Sequence, residues 1–493
     1  MKPNPRYAIG LCGTILFLLG LFLPGGCNPT DQGSRITEKA DSARPNVIFI
    51  LIDTLRPDRL GCYGYRRDNS PTIDALAKEG VLFERAISAA PWTQPSIASL
   101  FAAVYPGVHG VIGYRKAYQG VKDKTKTVTV FADSFQTLAE SFQGAGYATA
   151  AIVANPFLVK GFGFAQGFDH YNDTITDNWV TGDIVNQAAL AWLIKQDKKK
   201  PFFLYLHYMD AHGPYAAPPK FLDPLLDDLE REGVKEKLSP EAIQKLDYLW
   251  QPPTGPTDLA RHNKLSLYRE YWSARYEAGI RQVDFHLQQL REELIKLGLW
   301  KDAYIILTAD HGEALYEHGL WDHGFSAYHT DLHVPLILRW PGTIPEGRRI
   351  HALARLIDLA PTLVTQLHLS PMTHIQGTSL LPIIQGRSTG EAPPVAFAES
   401  VKIGPEQRAV YAGAWKLLLF VDTGEVKLFQ IDRDPLEQKD LAETHPKLTS
   451  ELRDILNEQH EQNKKLSQGV PTQRATLTDE PIKRLRSLGY LGE

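Results

Sequence analysis

Between Asn46 and Ile52 the chain reads Asn-Val-Ile-Phe-Ile-Leu-Ile, an unbroken apolar run rich in β-branched residues that stops at Asp53. A strand with one wet face alternates apolar and polar residues, whereas a strand covered on both faces does not. The run therefore predicts a strand inside a mostly parallel sheet with helices on both sides. Comparable runs span Ala148 to Val153, Pro201 to His207, Ala303 to Ala309 and Val334 to Arg339. Helical patterns lie between them. One is opened by Ser70-Pro71-Thr72 and runs toward Glu79, and the longest extends from about Leu267 to Leu297. Strands alternating with helices predict a doubly wound α/β domain. After Pro393 the pattern changes. Short strand-like segments cover 395–399, 407–411, 415–421 and 426–431, with Asp422-Thr423-Gly424 as a hairpin turn, and an amphipathic helical pattern follows from Pro446 to Leu466. These predict a smaller C-terminal α+β domain with an antiparallel sheet.

The expected layout is a catalytic domain over 45–392 and a C-terminal subdomain over 393–493. Within the first, residues 216–265 are rich in charge and proline and read as a variable insertion near the active face, a candidate lid. At 493 residues the chain can bury a large core. The formal net charge of -4, with acids and bases interspersed, argues against a nucleic-acid partner. The three cysteines, Cys12, Cys27 and Cys62, offer neither a disulfide framework nor a zinc-finger spacing.

Residues 1–27 have the layout of a targeting segment. Lys2 and Arg6 precede an apolar stretch from Ala8 to Leu23, then Pro24-Gly25-Gly26-Cys27. Small residues before a cysteine resemble a bacterial lipoprotein signal, with Leu23 one position further from Cys27 than usual; a cleaved secretory signal and an uncleaved anchor are the alternatives. Residues 28–44 are polar and read as a flexible tether. The expectation is an extracytoplasmic protein held at a membrane by an N-terminal lipid or anchor.

Chemistry-bearing residues follow the apolar runs. Asp53 ends the first, and Asp310-His311-Gly312-Glu313 follows the run from Ala303. The carboxyl ends of strands are where open α/β sheets hold ligands. An acid and an imidazole there can take Zn²⁺ or a harder divalent ion. Thr93 and Ser96 lie at the start of a predicted helix, whose free N–H groups favour an anion. His212 follows the third run within Met209-Asp-Ala-His-Gly-Pro-Tyr215, and His318 and His323 lie within Glu317-His-Gly-Leu-Trp-Asp-His-Gly324. Taken singly, each residue also reads as a cap, a turn or a structural histidine. Their recurrence after strands predicts one shared site.

In these segments the chain resembles the sulfatase family of the alkaline phosphatase superfamily. The resemblance rests on Asn46 to Asp58, Gly61-Cys-Tyr-Gly64, Thr93-Gln-Pro-Ser96, Tyr105-Pro106 and His109-Gly110. It continues through Asp210-Ala-His212-Gly-Pro-Tyr215, Asp310-His-Gly-Glu313, His318-Gly319, Val334-Pro335, Asp358-Leu-Ala-Pro-Thr362, Gly377-Thr-Ser-Leu380 and Leu428 to Glu437. It implies that Asp53, Asp310 and His311 are metal ligands and that Thr93 is the nucleophile. It further implies that His212 contacts the substrate anion or leaving group and that His323 stands where a substrate-binding lysine is usual. His109 would support the nucleophile loop.

The departures from the family bear on the reaction. Sulfatases carry Cys or Ser in a Cys-x-Pro-x-Arg pattern and oxidise it to formylglycine; this chain has Thr93 first and Ile97 last. Thr54 replaces a second metal-binding Asp. Superfamily relatives acting on phosphate esters use Thr or Ser directly, bound with Asp, Asp and His to one metal, and Asp53, Thr93, Asp310 and His311 are that set. A divalent ion (Ca²⁺, Zn²⁺ or Mn²⁺) is expected, with Asp210, His212 and His323 as the ligands of a second ion if two bind. The expected activity is hydrolysis of a phosphate or sulfate ester of a small molecule, glycan or lipid, the threonine favouring phosphorus. The alternatives are phosphoryl transfer to an envelope lipid or glycan, and an inactive relative that binds metal or anion.

Overall fold

The computed structural model describes residues 44–112, 127–176, 180–233, 269–387, 395–399, 404–470 and 473–476. The expected targeting segment and all but one residue of the expected tether lie outside these residues, as does the larger part of the 216–265 insertion. Its described part is helical: Pro219–Arg231 buries Leu225 and Leu229 against Ala274 and Ala278 of the long helix Arg269–Lys296.

Eight strands form one sheet. In chain order they are β1 (Val47–Ile52), β2 (Val81–Ile87), β3 (Ala148–Val153), β4 (His170–Asn172), β5 (Phe202–Tyr208), β6 (Tyr304–Thr308), β7 (His333–Arg339) and β8 (Arg348–Arg355). Their spatial order is β8-β2-β7-β6-β1-β5-β3-β4. All neighbours pair in parallel except β7, which runs antiparallel to both β2 and β6. The sheet is thus mixed. Strands β1, β3, β5 and β6 are buried along their whole lengths, which is why their sequences do not alternate. Strands β2 and β8, absent from the sequence reading, carry polar residues at Glu84-Arg85 and through Arg348-Arg-Ile-His351 because they lie at or beside the sheet edge.

The register carries the chemistry to one edge. Leu51 of β1 faces His207 of β5 and Thr308 of β6, so Asp53, His207 and Asp310 emerge side by side. Helices α1 (Pro71–Lys78), α2 (Thr93–Ala102), α3 (Leu138–Gly144), α4 (Gly182–Leu193), α5 (Pro219–Arg231), α6 (Arg269–Lys296) and α7 (Leu359–Gln366) complete the α/β body. Helix α2 is buried throughout, and its first residue is Thr93.

The C-terminal part is the expected antiparallel sheet, in the order β9 (Val395–Ala398), β10 (Gln407–Ala412), β11 (Trp415–Phe420) and β12 (Val426–Gln430). Helix α8 (Pro446–Leu466) lays Leu452 and Leu456 on Val410, Leu417 and Leu428. This sheet shares a core with the body, where Ile87, Leu332 and Leu353 pack with Ala396, Ala409 and Leu418. A buried ion pair fixes the seam: Lys416 Nζ donates to Glu437 Oε1 at 2.6 Å and to the Ala327 carbonyl at 2.6 Å. Removing one partner of such a pair strands the other charge. Lys416→Met should therefore lower stability by about 3–5 kcal/mol, read as a fall in the denaturation midpoint, and Glu437→Gln in the same chain should recover part of it.

Candidate active site

Two strand ends and one helix start build the site. Asp53 follows β1, Asp310 and His311 follow β6, and Thr93 opens α2; all four are at most 2 % exposed. Gly312 permits the Asp310-His311 turn, because a Cβ there would collide with the Thr330 carbonyl oxygen. His311 is the hub. Its Nε2 lies 3.4 Å from Asp53 Oδ1, 3.4 Å from Asp310 Oδ2 and 3.4 Å from Thr93 Oγ1. Its Nδ1 is 2.9 Å from the Gly312 carbonyl, an acceptor, so Nδ1 carries the hydrogen and Nε2 a lone pair.

The four donors fit a divalent cation. Asp53 Oδ1 and Asp310 Oδ2 are buried without a hydrogen-bond partner, and both converge on the bare Nε2. Two orphan carboxylate oxygens facing an imidazole lone pair need a positive charge between them. Metal–ligand bonds of ~2.0–2.2 Å set neighbouring donors a little over ~3 Å apart, consistent with these separations. The electrostatics agree. Burial, then the neighbouring Asp53, push Asp310 well above the usual carboxylate range. Burial also raises Asp53, but His212, His311, His207 and His323 outweigh it and bring it down to about 2. Burial and then His323 hold His311 neutral, the state a ligand requires.

His212 and His323 join this group: the His323 ring centre is 4.4 Å from that of His311 and 5.0 Å from that of His212. His212 commits Nδ1 to the Gly213 carbonyl at 2.7 Å. His323 Nδ1 lies 2.9 Å from Asp322 Oδ1 and 3.4 Å from Glu313 Oε2. Burial opposes a charge on His323, yet Asp322 and Glu313 overcome it and raise its pKa well above the ordinary value. An imidazolium thus stands beside His311. Ile97, one turn after Thr93, is packed into the main core and supplies no charge. His109 lies 2.9 Å from Ser99 Oγ of α2 and accepts Val111 N–H at 3.0 Å.

Asp210 does not join His212 and His323 as a second set of ligands. Its Oδ1 accepts Gly182 N–H of α4 at 3.0 Å and faces His286 Nδ1 of α6 at 3.0 Å, which turns the carboxylate toward those helices. Its Oδ2 is buried without a hydrogen-bond partner, and no metal-compatible group among the described residues joins Asp210 to His212 and His323. Among the described residues the metal-compatible groups are Asp53-His207-Asp310, at the first site, and Glu313-Asp322-His323.

Two site residues escaped the sequence reading. Asn155 follows β3 and is fully buried. Its Oδ1 accepts Phe157 N–H at 2.8 Å, which fixes the amide so that Nδ2 donates to Asp53 Oδ2 at 2.7 Å and to Thr93 Oγ1 at 3.3 Å. Before Pro156 it reads as a turn residue. His207, inside the apolar run of β5, brings Nε2 to 3.7 Å from Asp53 Oδ2; burial lowers its pKa to about 4, against the pull of Asp53. Beside His212 a cleft of about 560 Å³, its open mouth included, is lined by Ala154, Pro156, Thr176, Met209, Ala217 and Gln282 among others.

The family model described as Sulfatase matches residues 45–369. The chain belongs to the sulfatase family. A second model, for the C-terminal part of N-sulphoglucosamine sulphohydrolase, matches residues 316–465. One relative is an N-acetylglucosamine-6-O-sulfatase of Bacteroides thetaiotaomicron, 24% identical over an alignment covering 98% of this chain and 95% of the relative. Among solved structures, a protein in complex with its substrate D-glucosamine-2-N,6-O-disulfate superposes with a TM-score of 0.68 at 22% identity, covering 86% of this chain and 98% of the other. A phosphonate monoester hydrolase of Agrobacterium radiobacter superposes at 0.65 and 20% identity, covering 85% and 96%. Both structures share the fold. Sulfate ester hydrolysis is the chemistry of this family, and its members generally use a divalent metal.

Proposed function

We propose that this sulfatase-family hydrolase cleaves phosphate esters in preference to sulfate esters, using Thr93 itself as nucleophile. One observation carries the reading: Thr93 Oγ1 lies 3.4 Å from His311 Nε2, among the unpartnered oxygens of Asp53 and Asp310. Those four residues would hold one divalent ion. When bound, it lowers the pKa of a coordinated hydroxyl and offsets the charge of the ester.

The chain's own groups supply the remaining steps. Asn155 Nδ2 holds Thr93 Oγ1 in place and donates to it as negative charge builds there. Thr93 Oγ, its proton released to bulk water, forms a bond to phosphorus while the P–O bond to the alcohol breaks. His323, kept protonated by Asp322 and Glu313, can give the departing oxygen a proton, and His212 lines the adjoining cleft. Water then attacks the phosphothreonine phosphorus, releasing phosphate and restoring the hydroxyl. The equivalent sulfothreonine lacks the elimination route by which the hydrated aldehyde of formylglycine expels sulfate, which is why phosphorus is favoured.

Aryl sulfate, phosphate monoester and phosphodiester substrates with one common leaving group test the choice. Phosphorus turnover should exceed sulfate turnover by at least about tenfold in kcat/KM, roughly 1.4 kcal/mol in the barrier. A sulfate rate well above both phosphate rates rejects the preference. Product analysis with an added acceptor alcohol separates hydrolysis from transfer, since only transfer yields a new ester. The alcohol is proposed to be a small molecule, glycan or lipid presented outside the cytoplasm, with the enzyme tethered through a lipid on Cys27. Metabolic labelling with a fatty acid should mark the wild type and fail in Cys27→Ser; label retained in that variant refutes the lipoprotein reading.

A further inference from the structure

Buried polar side chains almost always have partners, and an orphan calls for an explanation. His207 is such an orphan. It sits in β5 at the sheet centre with no exposed surface, and neither ring nitrogen has a hydrogen-bond partner. It does not lie in apolar surroundings. Its Nε2 is 3.7 Å from Asp53 Oδ2, and His207, Asp53 and Asp310 each bring one donor atom to within 4.8 Å of the others. The two imidazoles approach different oxygens of Asp53, His311 at Oδ1 and His207 at Oδ2.

The adjacent residue makes the orphan intelligible. Thr54 occupies the position where the family resemblance calls for a second metal-binding carboxylate. Its Oγ1 donates instead to backbone carbonyls, at 2.7 Å to Asp53 and 3.1 Å to Ala211, and so faces away from the site. One oxygen ligand is missing, and one unpartnered imidazole stands beside Asp53, the residue preceding Thr54.

We infer that His207 is a direct ligand of the divalent ion, taking the coordination place that Thr54 gives up. The inference rests on the metal site of the proposed function and adds a ligand to it. The donor set becomes two imidazoles and three oxygens, from His207, His311, Asp53, Thr93 and Asp310. Calcium takes oxygen ligands, whereas imidazole suits zinc and its transition-metal neighbours. The exchange of a carboxylate for a histidine therefore moves the preference from Ca²⁺ toward Zn²⁺.

Metal content and metal spectroscopy of the full chain test this without any assay of turnover. Chelator-stripped protein is reloaded with Zn²⁺ for X-ray absorption, and with Co²⁺ for its visible spectrum. The wild type should bind one ion per chain with two imidazoles, and His207→Gln should keep one imidazole and show a changed Co²⁺ spectrum. Zn²⁺ affinity should fall more than about 100-fold in that variant, beyond the 10–100-fold loss of an outer-sphere partner, while Ca²⁺ affinity changes less than about threefold. A single imidazole in the wild type, or a Co²⁺ spectrum unaltered by His207→Gln, overturns the inference even if affinity drops, because His207 then only orients Asp53. Two ions per chain would also overturn it. Should His207→Gln fail to fold, the imidazole count of the wild type decides alone. A wild type that binds no divalent ion defeats the proposed function as well, whereas one that binds through one imidazole leaves that function standing.

Discussion

Thr93→Ala lowers kcat/KM on an aryl phosphate by on the order of 10⁴-fold or more, the scale of removing a covalent nucleophile. Thr93→Ser retains most of the activity, because the hydroxyl is preserved and only the methyl group is lost. The comparison isolates the oxygen. Thr93 is 2 % exposed at the first turn of a fully buried helix, so its neighbours hold the backbone whichever side chain is present. Folding should therefore be nearly intact in both variants, and thermal denaturation alongside the kinetics checks this. The Asn155 Nδ2 that donates to Thr93 Oγ1 at 3.3 Å keeps its stronger bond to Asp53 at 2.7 Å in either case. A further readout separates nucleophile from bystander. After rapid quench with substrate, phosphate should remain on Thr93 of the wild type and be absent from Thr93→Ala. Turnover that survives in Thr93→Ala would show that water attacks directly. An inactive wild type would instead favour the metal- or anion-binding relative.

Much of the scaffold of this site is legible without coordinates, for a physical reason. Strands β1, β3, β5 and β6 are covered on both faces, and that burial writes itself as apolar runs ended by Asp53, Asn155, Asp210 and Asp310. Strands β2 and β8 carry polar side chains on partly exposed faces and resemble loops. Side-chain roles follow a different rule. Asp310 and His311 declare themselves by adjacency, and Thr93 by the helix it opens. The role of His207 depends on Asp53, which reaches it only through the pairing of β5 with β1. Asn155 becomes a site residue only because Phe157 N–H turns its amide toward Asp53 and Thr93. The opposite error occurs at Asp210. The family resemblance offers it with His212 and His323 as ligands of a second ion, yet the N-terminus of α4 and His286 of α6 hold its Oδ1. Contacts between distant segments decided these cases, and no local pattern encodes them.

Metal removal should have the second-largest effect, and its pH dependence identifies the cause. Without an ion, Asp53 and Asp310 face each other in a buried site, and each leaves one oxygen unpartnered. Burial, and then Asp53, raise the Asp310 pKa well above the ordinary range, so in the metal-free protein a proton does part of the cation's work. An acid whose folded pKa exceeds its unfolded value contributes stability that is full below the unfolded pKa, about 4. That stability is lost as pH rises through the folded value. Chelator-treated protein should therefore lose activity to background and melt at a lower temperature. Its melting temperature should fall further as pH is raised above about 4. Readded Zn²⁺ at 1,000 times its Kd should restore about 4 kcal/mol and flatten that slope, since the ion then replaces the proton. Asp310→Asn provides the control. It should melt with little of this pH dependence when metal-free, gain little from Zn²⁺, and remain inactive. If the slope persists in Asp310→Asn, another buried acid carries it, and Asp331, pushed up to about 8 chiefly by burial, is the next to replace.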